Sequence, residues 1–165
     1  MDALKLLKQD HETVKKILKD LDETTERGVK TRTTLFAKLK RELTIHEILE
    51  EEIVYPAFEE KAKLKDIVLE GYQEHHVVDL ILGEISGLSP EDEKWGAKMS
   101  VAKENVEHHI EEEEGEMFKK ARQLFDQAEL DQLGERLEVR KAEVQKENPE
   151  ELQETREEAH EENAA

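Results

Sequence analysis

The chain has 165 residues, of which 41% are charged and 36% hydrophobic, with seven glycines and three prolines. This length suits one domain with a hydrophobic core, and such a composition favours long amphipathic helices over a sheet. The net charge of −18, from 43 acidic and 25 basic residues, repels nucleic acid and anionic membranes, so neither is expected as a partner.

Missing residue types and segments exclude further classes of protein. The sequence has no cysteine, which excludes disulfides, iron–sulfur clusters and zinc sites built from thiolates. Residues 1–5 show no basic stretch followed by an apolar run, so no signal peptide is predicted. No apolar stretch reaches the length of a membrane span. We therefore expect a cytoplasmic protein.

Apolar residues spaced three and four apart predict two helices in the first third of the chain. The first covers about 2–26 and ends before Gly28. The second begins near residue 31 or 33 and reaches Pro56. Because proline removes a backbone donor and restricts the residue before it, we expect a break or kink at Tyr55.

The same periodicity predicts three more helices. The third covers about 63–87. Ser89-Pro90-Glu91 is typical of a helix start, with serine as the cap and proline in the first turn, and the fourth helix runs from there to about Arg122. A fifth, more polar helix is predicted over 128–146, before an interruption at Asn148-Pro149.

These elements predict an all-α protein: an antiparallel up-down-up-down four-helix bundle with an extra polar C-terminal helix and tail. The predicted divisions are 1–125 for the bundle, 126–147 for the additional helix and 148–165 for an acidic tail. Residues 126–165 carry 14 acidic and 5 basic side chains, and apolar residues are sparse after Val144. The tail is therefore expected to be flexible.

Four of the seven histidines lie on the apolar stripes of four different predicted helices: His11, His46, His75 and His109. In an antiparallel bundle with a rise of about 1.5 Å per residue, each lies about 14 to 18 Å from one common end. A single histidine on a helical stripe is more often an ordinary core residue than a ligand. Four segments that place an imidazole at one depth are not expected by chance, and they indicate a shared site.

Two carboxylates extend this set. Glu50 follows His46 by four residues, and Glu113 follows His109 by four, so each pair faces the same way. A carboxylate in a core is costly unless it is paired or bound to a cation, and mixed nitrogen and oxygen donors suit iron, manganese or zinc. Six donors exceed the needs of one tetrahedral zinc. The sequence predicts two adjacent metal ions on His11, His46, Glu50, His75, His109 and Glu113.

Three other residues near these positions carry oxygen donors. Glu47, Tyr55 and Asp79 are candidates for extra ligands or hydrogen-bond partners, although a partly polar helix flank explains Asp79 equally well. His160, in the predicted tail, is expected to be free. Two known metal patterns are absent from the core helices: Glu-x-x-His occurs only at 157–160, and the zinc-protease pattern that begins at His46 lacks its second histidine.

The candidate ligands belong to four ordered motifs: Asp10-His11; His46-Glu47-Ile48-Leu49-Glu50-Glu51-Glu52 with Tyr55-Pro56; Glu74-His75-His76; and His109 with Glu112-Glu113. Together, over about residues 1–140, they resemble the bacterial hemerythrin-like proteins, also called the HHE cation-binding family. This resemblance implies an oxo- or hydroxo-bridged non-haem di-iron centre, with manganese or zinc as substitutes. His11 and His46 would bind one iron, His75 and His109 the other, and Glu50 and Glu113 would bridge them.

One departure from the family's pattern bears on function. The oxygen-carrying hemerythrins have a fifth histidine where this chain has Asp79. Oxygen donors in place of this histidine favour ferric iron, which argues against reversible carriage of O2. The resemblance implies a protein that reacts with O2, peroxide or nitric oxide, with catalase-like peroxide decomposition or handling of oxidative and nitrosative stress as the expected function. The alternatives are a non-enzymatic module that binds or senses O2, NO or iron, and a purely structural bundle.

Overall fold

The computed structural model describes the backbone of residues 1–164 and the side chains of residues 1–162, and all its regular elements are helical. The α-helices are α1 Ala3–Asp22, α2 Val29–Leu49, α3 Tyr55–Glu59, α4 Lys65–Ser86, α5 Glu93–Glu112, α6 Phe118–Leu124, α7 Gln127–Val144 and α8 Pro149–Ala164. A π-helical turn at Glu50–Val54 joins α2 to α3, and another at Glu113–Met117 joins α5 to α6.

The four long helices pack as a bundle. Helix α1 lies against α2, α4 lies against α5, and a contact between α1 and α5 closes the arrangement. Helix α7 packs on α1 and α2, and α8 packs on α2. The prediction of an all-α four-helix bundle with an extra C-terminal helix is confirmed. None of the helices described here combines the length and apolar character that a membrane span requires.

The core consists of two apolar layers with a polar layer between them. Along α1, Leu7 belongs to the first layer and Val14 to the second, with His11 between them. Along α4, Val68 and Val78 are divided in the same way. Apolar contacts above and below therefore fix the depth at which the buried histidines lie.

The helix is not broken at Pro56, where a break or kink at Tyr55 was expected. The chain remains helical from α2 through α3, because the π-helical turn lets the backbone N–H of Tyr55 donate to the carbonyl of Glu50. Pro56 then lies in the first turn of the α3 segment. A missing N–H is tolerated there, and the ring's fixed φ angle suits a helix start.

Residues 149–164, within the segment that was expected to be a flexible tail, form helix α8. Asn148 starts the helix: its side-chain oxygen accepts from the Glu151 N–H at 2.9 Å, and the Glu151 carboxylate accepts from the Asn148 N–H at 2.8 Å. Leu152, Arg156 and Ala159 form a narrow buried stripe on the bundle. This docking was not predicted from the sequence, because an arginine is buried only where other elements supply partners.

Candidate metal centre

The four stripe histidines meet inside the bundle in two pairs. Each comes from a different helix, α1, α2, α4 or α5, and none is more than 6% exposed. The Nε2 atoms of His11 and His46 lie 3.2 Å apart, and those of His75 and His109 also lie 3.2 Å apart. Both pairs turn the same ring nitrogen inwards, so each presents two imidazole donors to one point.

Glu50 contacts both histidine pairs. Its Oε1 lies 3.1 Å from Nε2 of His46, and its Oε2 lies 3.0 Å from Nε2 of His75. Glu113 does the same from the opposite helix, with Oε2 3.2 Å from Nε2 of His11 and Oε1 3.3 Å from Nε2 of His109. Both carboxylates therefore span the two pairs.

The donor atoms form two overlapping groups. His11, His46, Glu50 and Glu113 form the first, and His75, His109, Glu50 and Glu113 form the second; within each group the donor atoms lie within 4.8 Å of one another. Both oxygens of Glu50 and Oε2 of Glu113 are buried without a hydrogen-bond partner. Buried, unpartnered carboxylate oxygens are costly, and a cation between them removes that cost.

Electrostatics point the same way. Burial alone would raise the pKa of Glu50, but the charge of His46 and the close imidazoles of His109 and His75 hold it well below its usual range. Burial alone would lower the pKa of His46, yet the charge of Glu50 and the hydrogen bond to Asp10 hold it well above its usual range. These shifts favour positive charge at the centre of the cluster, from protonated imidazoles or from metal ions.

Both π-helical turns begin at the shared carboxylates, Glu50 and Glu113. In each turn the following N–H donates five residues back instead of four, from Tyr55 to Glu50 and from Phe118 to Glu113. Turns of this kind are rare and concentrate at functional sites, because the added residue changes where neighbouring side chains point. Hydrophobic periodicity did not reveal them.

A second set of carboxylates lies behind the histidines, at their Nδ1 atoms. The pairs are His11 with Glu114 at 2.8 Å, His46 with Asp10 at 3.4 Å, His75 with Glu51 at 3.0 Å and His109 with Glu74 at 2.9 Å. A carboxylate on Nδ1 fixes the tautomer that leaves the Nε2 lone pair facing inwards, and it strengthens that nitrogen as a metal ligand.

These four carboxylates were missed as functional residues by the sequence reasoning. A signal existed: each one is the immediate chain neighbour of a residue of the inner cluster. Asp10 precedes His11, Glu51 follows Glu50, and Glu74 precedes His75. Each then reaches a histidine on a different helix, and the choice of helix depends on tertiary packing.

Tyr55 lies beside the second group. Its hydroxyl donates to Oε1 of Glu113 at 2.6 Å and lies 3.4 Å from Nε2 of His75. Burial and the charge of Glu113 raise the pKa of this phenol well above its usual range. Gly71 on α4 makes room for it, since a Cβ there would lie 2.7 Å from the Tyr55 hydroxyl oxygen.

The other two candidate ligands lie outside both groups. Arg156 of α8 lies 3.1 Å from a carboxylate oxygen of Glu47 and 3.1 Å from one of Asp79. Burial and the nearby charge of Asp79 raise the pKa of Glu47 to about 8. His160, expected to be free, lies 3.8 Å from Asp79. The position of the missing fifth histidine therefore faces α8.

The fold and the cluster define a class: a helical bundle with a buried histidine and carboxylate cluster suited to metal ions. The model of the hemerythrin HHE cation-binding domain family matches residues 2–121, and the chain belongs to this family. It is similar to a hemerythrin HHE cation-binding domain-containing protein of Mycobacterium kansasii, whose crystal structure superposes with a TM-score of 0.76, 26% identity and coverage of 87% of each chain. No curated protein matches. The chain is thus a hemerythrin-like metal-binding protein.

Proposed function

We propose that the protein holds a pair of iron ions and uses them to decompose hydrogen peroxide. His11 and His46 would bind one iron, His75 and His109 the other, and Glu50 and Glu113 would be shared, with manganese or zinc as substitutes. The observation that carries the proposal is the sharing: two four-donor groups have the same two carboxylates in common. Such sharing suits two adjacent ions better than one.

The donor set suits iron that reacts. Each group offers two imidazoles and two carboxylates, which fill a tetrahedral zinc but leave open positions on a six-coordinate iron. When bound, two irons supply two one-electron changes side by side, as a two-electron oxidant such as peroxide requires. Two molecules of peroxide give two of water and one of dioxygen, so no outside reductant is needed.

The surrounding residues support turnover rather than reversible carriage. The chain has four histidines in this cluster, and Asp79, at the fifth position, pairs with Arg156 instead. Oxygen donors around iron favour the ferric state, which does not bind O2 reversibly. Tyr55 also fits turnover, because its hydroxyl is placed to hold or pass a proton at Oε1 of Glu113.

The test starts from protein loaded with iron without oxygen. We expect two irons per chain, a near-ultraviolet absorption band after oxidation, and O2 release at an oxygen electrode on adding peroxide. His46→Ala should lose iron and activity, whereas His108→Ala, at a histidine with a 66% exposed side chain, should behave as wild type. An iron-loaded protein that is colourless and inert would refute the proposal. Binding of O2 or NO without peroxide turnover would instead support the non-enzymatic alternative.

A further inference from the structure

The two C-terminal helices each bring one cation to a carboxylate behind a histidine of the inner cluster. On α8, Arg156 forms an ion pair with Glu51, which accepts from Nδ1 of His75 at 3.0 Å. On α7, Lys141 forms an ion pair with Asp10, which lies 3.4 Å from Nδ1 of His46. Both helices lie beyond residues 2–121, which the family model matches.

The carboxylates behind the other two histidines, His11 and His109, are partly exposed to solvent. Glu114 behind His11 has a side chain that is 26% exposed, and Glu74 behind His109 has one that is 25% exposed. Among the described side chains, no lysine or arginine forms an ion pair with either. Each proposed metal position therefore has one histidine backed by a cation and one whose carboxylate faces water.

Of the two cations, Arg156 is the more deeply buried. It is 3% exposed and lies in the buried stripe of α8, between Leu152 and Ala159. Its Nε lies 3.1 Å from Glu47, and its Nη2 lies 3.1 Å from Glu51 Oε1. A buried arginine is tolerated only with such complete pairing, and its planar fork fixes the carboxylates it holds.

We propose that Arg156 is a positioning residue for the metal bound by His75 and His109. It holds Glu51 on Nδ1 of His75, so that the imidazole keeps its tautomer and direction. Its guanidinium neutralises part of the negative charge of Glu51, so that less of this charge is transferred to the His75 imidazole. The guanidinium also places a positive charge near the iron. Helix α8 thereby completes the metal centre.

Two physical consequences follow, and both rest on the proposed di-iron function. First, loss of the arginine fork should loosen His75 and speed release of one iron, by about tenfold or more as for other partners behind metal ligands. Second, loss of its positive charge should stabilise the more highly charged ferric state. The reduction potential of the iron pair should then become more negative.

Three variants separate these effects. Arg156→Met removes both the charge and the fork, Arg156→Lys keeps the charge, and Lys141→Met removes the matched cation on the other side. For each, far-ultraviolet circular dichroism reports the fold, a chelator reports the release rate of each iron, and spectroelectrochemistry reports the potential. We expect Arg156→Met to change both rate and potential, and Arg156→Lys to change mainly the rate. Lys141→Met should act more weakly, because its side chain is already 24% exposed.

Failure of this inference is distinguishable from failure of the proposed function. Wild-type protein that does not hold two irons would overturn the proposed function. Wild-type protein with two irons, together with a folded Arg156→Met variant of unchanged release rate and potential, would overturn the role of Arg156. If Arg156→Met does not fold, Arg156→Gln, which keeps a donor for Glu51, takes its place: a more negative potential supports the inference and an unchanged one overturns it.

Discussion

The metal-free protein should lose stability as the pH rises from about 6.5 to about 9, because of His75. Burial alone would lower the pKa of this imidazole, but the adjacent carboxylates of Glu50 and Glu51 raise it from 6.5 to about 9. The folded chain therefore keeps a proton that the unfolded chain releases. The resulting stabilisation is complete below about pH 6.5 and is lost as the pH passes about 9.

The size of the effect follows from the pKa values. A rise from 6.5 to about 9 corresponds to about 3 kcal/mol, at about 1.4 kcal/mol for each pKa unit. The pKa values of His46 and His109 are also raised well above their usual range, against the effect of burial, by Glu50 and Glu113 respectively. These two raised pKa values also reduce the stability as the pH rises. The figure of about 3 kcal/mol is therefore the contribution of His75 alone.

Urea unfolding of chelator-treated protein at several pH values measures this loss. His75→Gln should remove the share of about 3 kcal/mol, and His108→Gln, at an exposed histidine, should leave the loss unchanged. Iron-loaded protein should not show it, because a metal-bound nitrogen has no proton to release. Metal-free stability that is constant or rises over this range would refute the reasoning.

Three further perturbations test other parts of the centre. Tyr55→Phe removes a buried 2.6 Å hydrogen bond to Glu113 and should lower the free energy of unfolding of the metal-free protein by about 2 kcal/mol; an unchanged urea midpoint would contradict this. Glu113→Gln should reduce the iron content measured by elemental analysis, while Glu116→Gln, at an exposed carboxylate, should not; equal iron in both would count against a shared ligand. Leu152→Ala should cost about 2 to 4 kcal/mol in the docking of α8, seen as faster amide exchange in that helix, with Glu154→Ala, at an exposed position, as control.

The bundle and its inner cluster were accessible from the amino-acid pattern. Apolar residues three and four apart locate a buried helical face, and a histidine on that face has only the interior to point into. Four such histidines at one depth, two followed by glutamate at the fourth position, leave little freedom in where they meet. The structure brings all six predicted residues together, as two groups with shared carboxylates.

Periodicity was less informative where the helices depart from regular geometry or where a charge is buried. It did not reveal the π-helical turns at Glu50 and Glu113, because one added residue barely alters a hydrophobic stripe. It also predicted a tail at the residues that form α8, because the apolar residues there, such as Leu152 and Ala159, are few and the acidic residues are many. A buried arginine such as Arg156 looks like surface until its partners are known.

The ligands of the candidate metal centre could thus be predicted from local sequence spacing, because the helix itself sets which residues share one face. The residues around these ligands are decided by tertiary packing. Glu51 is one residue from Glu50, yet it serves His75 on α4 and receives Arg156 from α8. Such contacts join segments far apart in the chain, and only the folded arrangement of the helices selects which carboxylate, histidine and cation meet.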